Sequence, residues 1–107
     1  MPQPSNPYVP SPARVEEVRP ETPDTKTFKI AFCDDDCRAG FSYRPGQFAE
    51  LSVFGVGEAP FSITSSPTRN GFLEFSIKRM GRVTSALHEM IGGEQVGIRG
   101  PYGNGFP

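Results

Sequence analysis

Tryptophan is absent from this chain of 107 residues, histidine occurs once and cysteine only twice. Neither sign of charge is in excess, since 11 basic side chains stand against 12 acidic ones for a net charge of −1. That balance leaves no basic field to draw in nucleic acid or an anionic membrane surface. An oligonucleotide-binding barrel, which needs basic and aromatic residues along one groove, is a poor candidate on the same ground. No apolar run approaches the roughly 18 residues of a membrane-spanning helix. The start of the chain, with prolines at 2, 4, 7, 10 and 12, lacks the charged-then-apolar pattern of a secretory leader. A cytoplasmic protein with reduced thiols is therefore expected.

The scarce reactive residues exclude further chemistry. Cys33 and Cys37 flank Asp34-Asp35-Asp36, but two cysteines make half a structural zinc site, and His88 is remote in sequence. The segment reads as an acidic turn between strands, with no metal. His88 falls on the outward side of its helix, with no evident nucleophile or orienting acid, so a hydrolase is not expected.

Glycine and proline are abundant, 12 of each, and favour short strands joined by tight turns over a helical bundle. Residues 1–12 read as an extended proline-rich arm and residues 13–107 as one domain with a single core. Ala13 to Arg19 suits a strand in which the spacing of Val15 and Val18 implies a bulge, and Pro20 and Pro23 end it. Thr25 to Phe32 alternates, with Phe28, Ile30 and Phe32 on one face. Arg44-Pro45-Gly46-Gln47 carries the type II turn signature. Behind it come strands over Phe48 to Phe54, Pro60 to Ser65 and Phe72 to Arg79, the last two joined as a hairpin across Asn70-Gly71. Val83, Leu87, Met90 and Ile91 stand at i, i+4, i+7 and i+8 and predict one helix over 83–91. Thr84 or Ser85 would cap its start, and Gly92-Gly93 would end it. Gln95 to Arg99 completes an all-β fold: a six-stranded antiparallel Greek-key barrel with one short helix.

Two segments carry chemistry. In Gly81-Arg82-Val83-Thr84-Ser85, glycine permits close backbone approach, and the first helical N–H groups lack partners within the helix. The helix dipole and the two hydroxyls favour an anion such as a pyrophosphate, with Arg79, Arg82 or Lys78 to neutralise it. In Pro60-Phe61-Ser62-Ile63, Phe61 offers an aromatic face and Ser62 a hydroxyl for the edge of a flat ring system. Alternation sets Phe61 and Ile63 on one face and Ser62 and Thr64 on the other. Together the two segments can hold both ends of a flavin nucleotide.

Arg44-Pro45-Gly46-Gln47-Phe48, Ala59-Pro60-Phe61-Ser62-Ile63, Gly81-Arg82-Val83-Thr84-Ser85 and Gly100-Pro101-Tyr102-Gly103, in this order, resemble the flavin-binding domain of the ferredoxin–NADP reductase superfamily. Within it the chain is most similar to the electron-transfer subunits of hydrogenase gamma and dihydroorotate dehydrogenase type. The resemblance implies a barrel that binds FAD in preference to FMN. It assigns Pro60, Phe61, Ser62 and Ile63 to the isoalloxazine, with Ser62 at N5 as the catalytic contact, and Arg79, Gly81, Arg82, Val83, Thr84 and Ser85 to the pyrophosphate. Where the superfamily commonly carries arginine, this chain has Ala59. The resemblance further implies that NAD(P)H and a [2Fe–2S] cluster are bound in a following region that this chain does not contain. Electrons would then pass to iron–sulfur or hydrogenase-type subunits. The alternative is a flavin-free barrel that serves as a docking module in a redox complex.

Overall fold

A computed structural model describes residues 9–68 and 71–103. Six strands form one antiparallel sheet in the order β4-β3-β6-β1-β2-β5. They are β1 (Ser11–Thr22), β2 (Thr25–Phe32), β3 (Phe48–Val53), β4 (Gly57–Ser62), β5 (Leu73–Lys78) and β6 (Gln95–Tyr102), with α1 (Asp35–Ala39) and α2 (Arg82–His88) between them. The period-two pattern decides the inner face. Ala49, Leu51 and Val53 of β3, Leu73, Phe75 and Ile77 of β5, and Val96 and Ile98 of β6 are all buried. They close around Val15, Phe28 and Ile30 in one core.

The two ends of the sheet, β4 and β5, meet just beyond β4. There Thr64 N donates to Glu74 O at 2.8 Å, and Glu74 N donates to the Ser65 hydroxyl at 3.0 Å. These bonds draw the sheet into a barrel without a continuous β4–β5 ladder. β5 instead pairs with β2 and β4 with β3, so the hairpin expected across Asn70-Gly71 is not formed between these strands. Asn70 itself lies outside the described residues.

Several boundaries differ from the sequence expectation, each for a local reason. β1 begins at Ser11, and it runs through Pro20 to Thr22 because register shifts at Val15/Glu17 and Pro20/Thr22 absorb the misfit. The first of these is the bulge that the valine spacing implied. The acidic segment is a helical turn and not an open one. Asp34 Oδ1 accepts from Asp36 N at 2.7 Å, and Asp35 and Asp36 sit in the first turn, where carboxylates suit the dipole. Gly46 has φ 91° and Gln47 N reaches Arg44 O at 3.1 Å, the expected type II turn. α2 stops at His88, so Ile91 falls beyond it and is 87% exposed instead of joining the apolar face. His88 is turned inward, against expectation. It is buried, its ring packs 5.9 Å from that of Phe28, and Nε2 bonds Ile77 O at 2.8 Å.

Candidate functional site

The start of α2 is built by one hydroxyl. Thr84 Oγ1 accepts from Met80 N and Gly81 N, both at 2.8 Å, and donates to Gly81 O at 3.1 Å. Its proton is therefore spent on the backbone, and the residue shapes the loop. Ser85 N closes the first helical bond to Gly81 O at 2.8 Å. The amides of Arg82, Val83 and Thr84 accordingly have no acceptor within the helix. Arg79 is drawn alongside, with Nε 3.3 Å from Ser85 Oγ and its guanidinium 3.9 Å from Glu89. Arg82 is exposed and, among the described residues, makes no ion pair.

Gly81 is the informative position. Its φ of −164° is extended backbone open to any residue. A Cβ built there would meet nothing within 4 Å. The fold does not require glycine at this point, and the side of the loop that a side chain would occupy is open to solvent.

Val83 is half-buried and sits where α2 meets β4: a Cβ on Gly57 would lie 3.3 Å from Val83 Cγ2. The two motifs thus stand on touching elements. From Gly57 the strand runs five residues to Ser62, about 17 Å at strand rise. Along β4, Ala59 and Phe61 are half-buried, while Glu58, Pro60 and Ser62 are exposed. The strand ends at exposed Ser62, with half-buried Phe61 before it. Phe61 and Ser62, together with Pro60 and Phe48, line one cleft of about 330 Å³. Ser62 also borders a second cleft of about 620 Å³ between the Pro45-Gly46 turn and Ile63 to Pro67. Ile63 is buried and anchors this end through its N–H, which donates to Gln47 O at 3.1 Å.

Residues not singled out in the sequence complete the surroundings. Phe48 pairs with both Ser62 and Tyr102 across β3, and the two aromatic rings stand 5.7 Å apart beside Ser62. Alternation carried the signal, because Phe48 must face away from buried Ala49. Farther along, the Arg99 guanidinium forks onto Glu58, with Nε–Oε2 2.9 Å and Nη2–Oε1 2.5 Å, and reaches the Tyr102 hydroxyl at 3.2 Å. Hydrogen bonds from Arg99, and secondarily from Ser52, hold the Glu58 carboxyl below its ordinary range. This clamp fixes edge strand β4 against β6. Cys33 and Cys37 are free thiols, and no group of three metal-ligating side chains occurs among the described residues.

Residues 12–106 match the family described as the oxidoreductase FAD-binding domain. The chain belongs to that family. It is 45% identical over 102 residues to the sulfhydrogenase 2 subunit gamma of Pyrococcus furiosus, covering 95% of this chain and 35% of that protein. It is 40% identical over 93 residues to a probable dihydroorotate dehydrogenase B (NAD(+)) electron transfer subunit of Methanocaldococcus jannaschii, covering 87% and 31%. The FAD-binding domain described here thus spans about a third of the length of these relatives. Among solved structures it resembles the FAD/NAD-binding domain of nitric oxide dioxygenase from Vibrio cholerae, with a TM-score of 0.78 at 22% identity over 90% of this chain and 45% of that one. That likeness supports the FAD-binding domain fold alone. The ferredoxin reductase in carbazole 1,9a-dioxygenase matches with a TM-score of 0.73 at 28% identity, covering 87% and 28%.

Proposed function

We propose that this domain holds FAD along β4 and the start of α2, as the flavin half of an NAD(P)H-linked electron-transfer oxidoreductase. The observation that carries the proposal is the match of residues 12–106 to the oxidoreductase FAD-binding domain family, with Gly81 open to solvent at the start of α2. The pyrophosphate lies there against the N–H groups of Arg82, Val83 and Thr84, with Arg82 and Arg79 supplying positive charge. Ser85 offers a hydroxyl, and Thr84 holds the loop in shape. The isoalloxazine lies at the far end of β4, where Pro60, Phe61, Ser62 and Ile63 border the clefts. The separation along the strand is on the scale of a flavin ring, its ribityl chain and first phosphate.

A flavin held by these residues would supply hydride exchange with a nicotinamide and one-electron transfer onward. This chain contributes binding, ring orientation and the Ser62 hydroxyl at the N5 edge. No side chain need act as acid or base. FAD in preference to FMN follows from the family. By the printed names of the relatives, the partners are subunits of hydrogenase or dihydroorotate dehydrogenase type. NAD(P)H and a [2Fe–2S] centre would be held outside residues 1–107, and the setting would be the cytoplasm. No described helix is long and apolar enough to cross a membrane.

ADP competition tests the assignment. ADP carries the pyrophosphate without the ring, and it should displace bound FAD. FAD binding that is indifferent to saturating ADP would remove α2 as the phosphate site.

A further inference from the structure

We propose that the buried hydroxyl of Tyr43 sets the width of the cleft beside Ser62 and thereby tunes the bound flavin ring, a role that rests on the ring lying at that end of β4. Tyr43 is buried, two residues before the Pro45-Gly46 turn that forms one wall of the cleft. Its hydroxyl crosses to the opposite wall, where Oη lies 2.9 Å from Ser66 O, 3.1 Å from Ser65 O and 3.0 Å from Ser65 Oγ.

One arrangement of donors satisfies every group. Both carbonyls only accept, so the single phenolic proton goes to them. With the phenolic proton on a carbonyl, the Ser65 hydroxyl donates to Tyr43 Oη, a bond that either hydroxyl can donate, while itself accepting from Glu74 N at 3.0 Å. A continuous chain runs from the Glu74 amide through Ser65 and Tyr43 to the Ser66 carbonyl. It ties the β5 edge, the segment after β4 and the segment before β3 at one point. Chains of this kind polarise one another and rigidify what they join.

The hydroxyl is separable from the ring that carries it. The Tyr43 ring packs 6.1 Å from that of Phe41 within the apolar interior, a contact that phenylalanine would keep. The hydroxyl acts at the Ser62 end of β4, whereas α2 meets β4 at Gly57. Loosening the tie should therefore alter the ring environment and leave the phosphate site untouched.

The test compares wild type with Tyr43→Phe and Ser65→Ala, using riboflavin as a ring-only probe and ADP as a phosphate-only probe. Tyr43→Phe removes the donor to the Ser65 and Ser66 carbonyls and Ser65→Ala removes the acceptor of the Glu74 amide; each should weaken riboflavin binding about tenfold, with ADP affinity unchanged. Bound FAD should lose the fine structure of its visible band, and its midpoint potential should shift. Equal weakening of riboflavin and ADP would mean general destabilisation and would overturn the proposal, as would an unchanged spectrum and potential. Failure of both variants to fold would make the chain a folding element and would also overturn it. Wild-type protein that binds neither FAD nor riboflavin would instead remove the flavin reading on which the proposal stands.

Discussion

Replacing Gly81 with alanine separates what the fold needs from what a ligand needs. At Gly81 the backbone is extended and an added Cβ touches nothing. The substitution mainly removes freedom from the unfolded chain, which at compatible positions stabilises by about 0.4–1 kcal/mol. For a domain of this size that is a rise in melting temperature of about 2–4 °C. Binding should move the other way, because the methyl group occupies the approach to the Arg82, Val83 and Thr84 amides. One charge-assisted hydrogen bond lost is about 1.5–3 kcal/mol, or roughly 10- to 100-fold in affinity. Thermal melts paired with fluorescence titrations of FAD and ADP measure both quantities on one sample. A variant that melts higher and binds both ligands like wild type would refute the phosphate assignment. A lowered melting temperature would refute the claim that the space is open.

Thr84→Val removes the hydroxyl that organises Met80 and Gly81 and should cost about 1 kcal/mol, as for a lost helix cap, with FAD weakened in parallel. Thr84→Ser should restore both in the same melts and titrations. Ser62→Ala should slow the reduction of bound flavin with little change in FAD affinity, and unchanged stopped-flow reduction would remove Ser62 from the N5 edge. The Glu58 carboxyl, held low by Arg99, contributes stability that is present above its unfolded value of about 4.3 and is lost as pH falls through the folded value. The acid-side fall in melting temperature should therefore be shallower in Glu58→Gln. Some slope should persist, because Asp24 and Glu94 are also held low, by Thr22 and by the Ile91 amide.

The strands facing the core were legible because burial on one side enforces alternation, as in Phe28 and Ile30 or Leu73, Phe75 and Ile77. The Pro45-Gly46 turn was legible because its chemistry is local. Features set by tertiary contacts were not. Nor was α1, which is set locally by its Asp34 cap but buries none of its residues, so that no apolar period announces it. His88 turns inward because the Ile77 carbonyl and Phe28 receive it from 11 and 60 residues away. Chain proximity suggested pairing β4 with β5, but the seam is closed by Thr64, Ser65 and Glu74 while each strand pairs elsewhere. At the site, both motifs could be read from residue type. Their meeting through Val83 and Gly57, the Phe48–Tyr102 pair and the Tyr43 tie could not, since each joins residues 22 or more positions apart.

The central claim is that residues 1–107 suffice to hold FAD, and the visible spectrum of the purified protein titrated with FAD, and in parallel with FMN, tests it most directly. Flavin bands with quenched fluorescence and tighter binding of FAD than of FMN are expected. A folded protein that stays colourless and binds neither would contradict it, and would favour a barrel that serves its complex as a docking module.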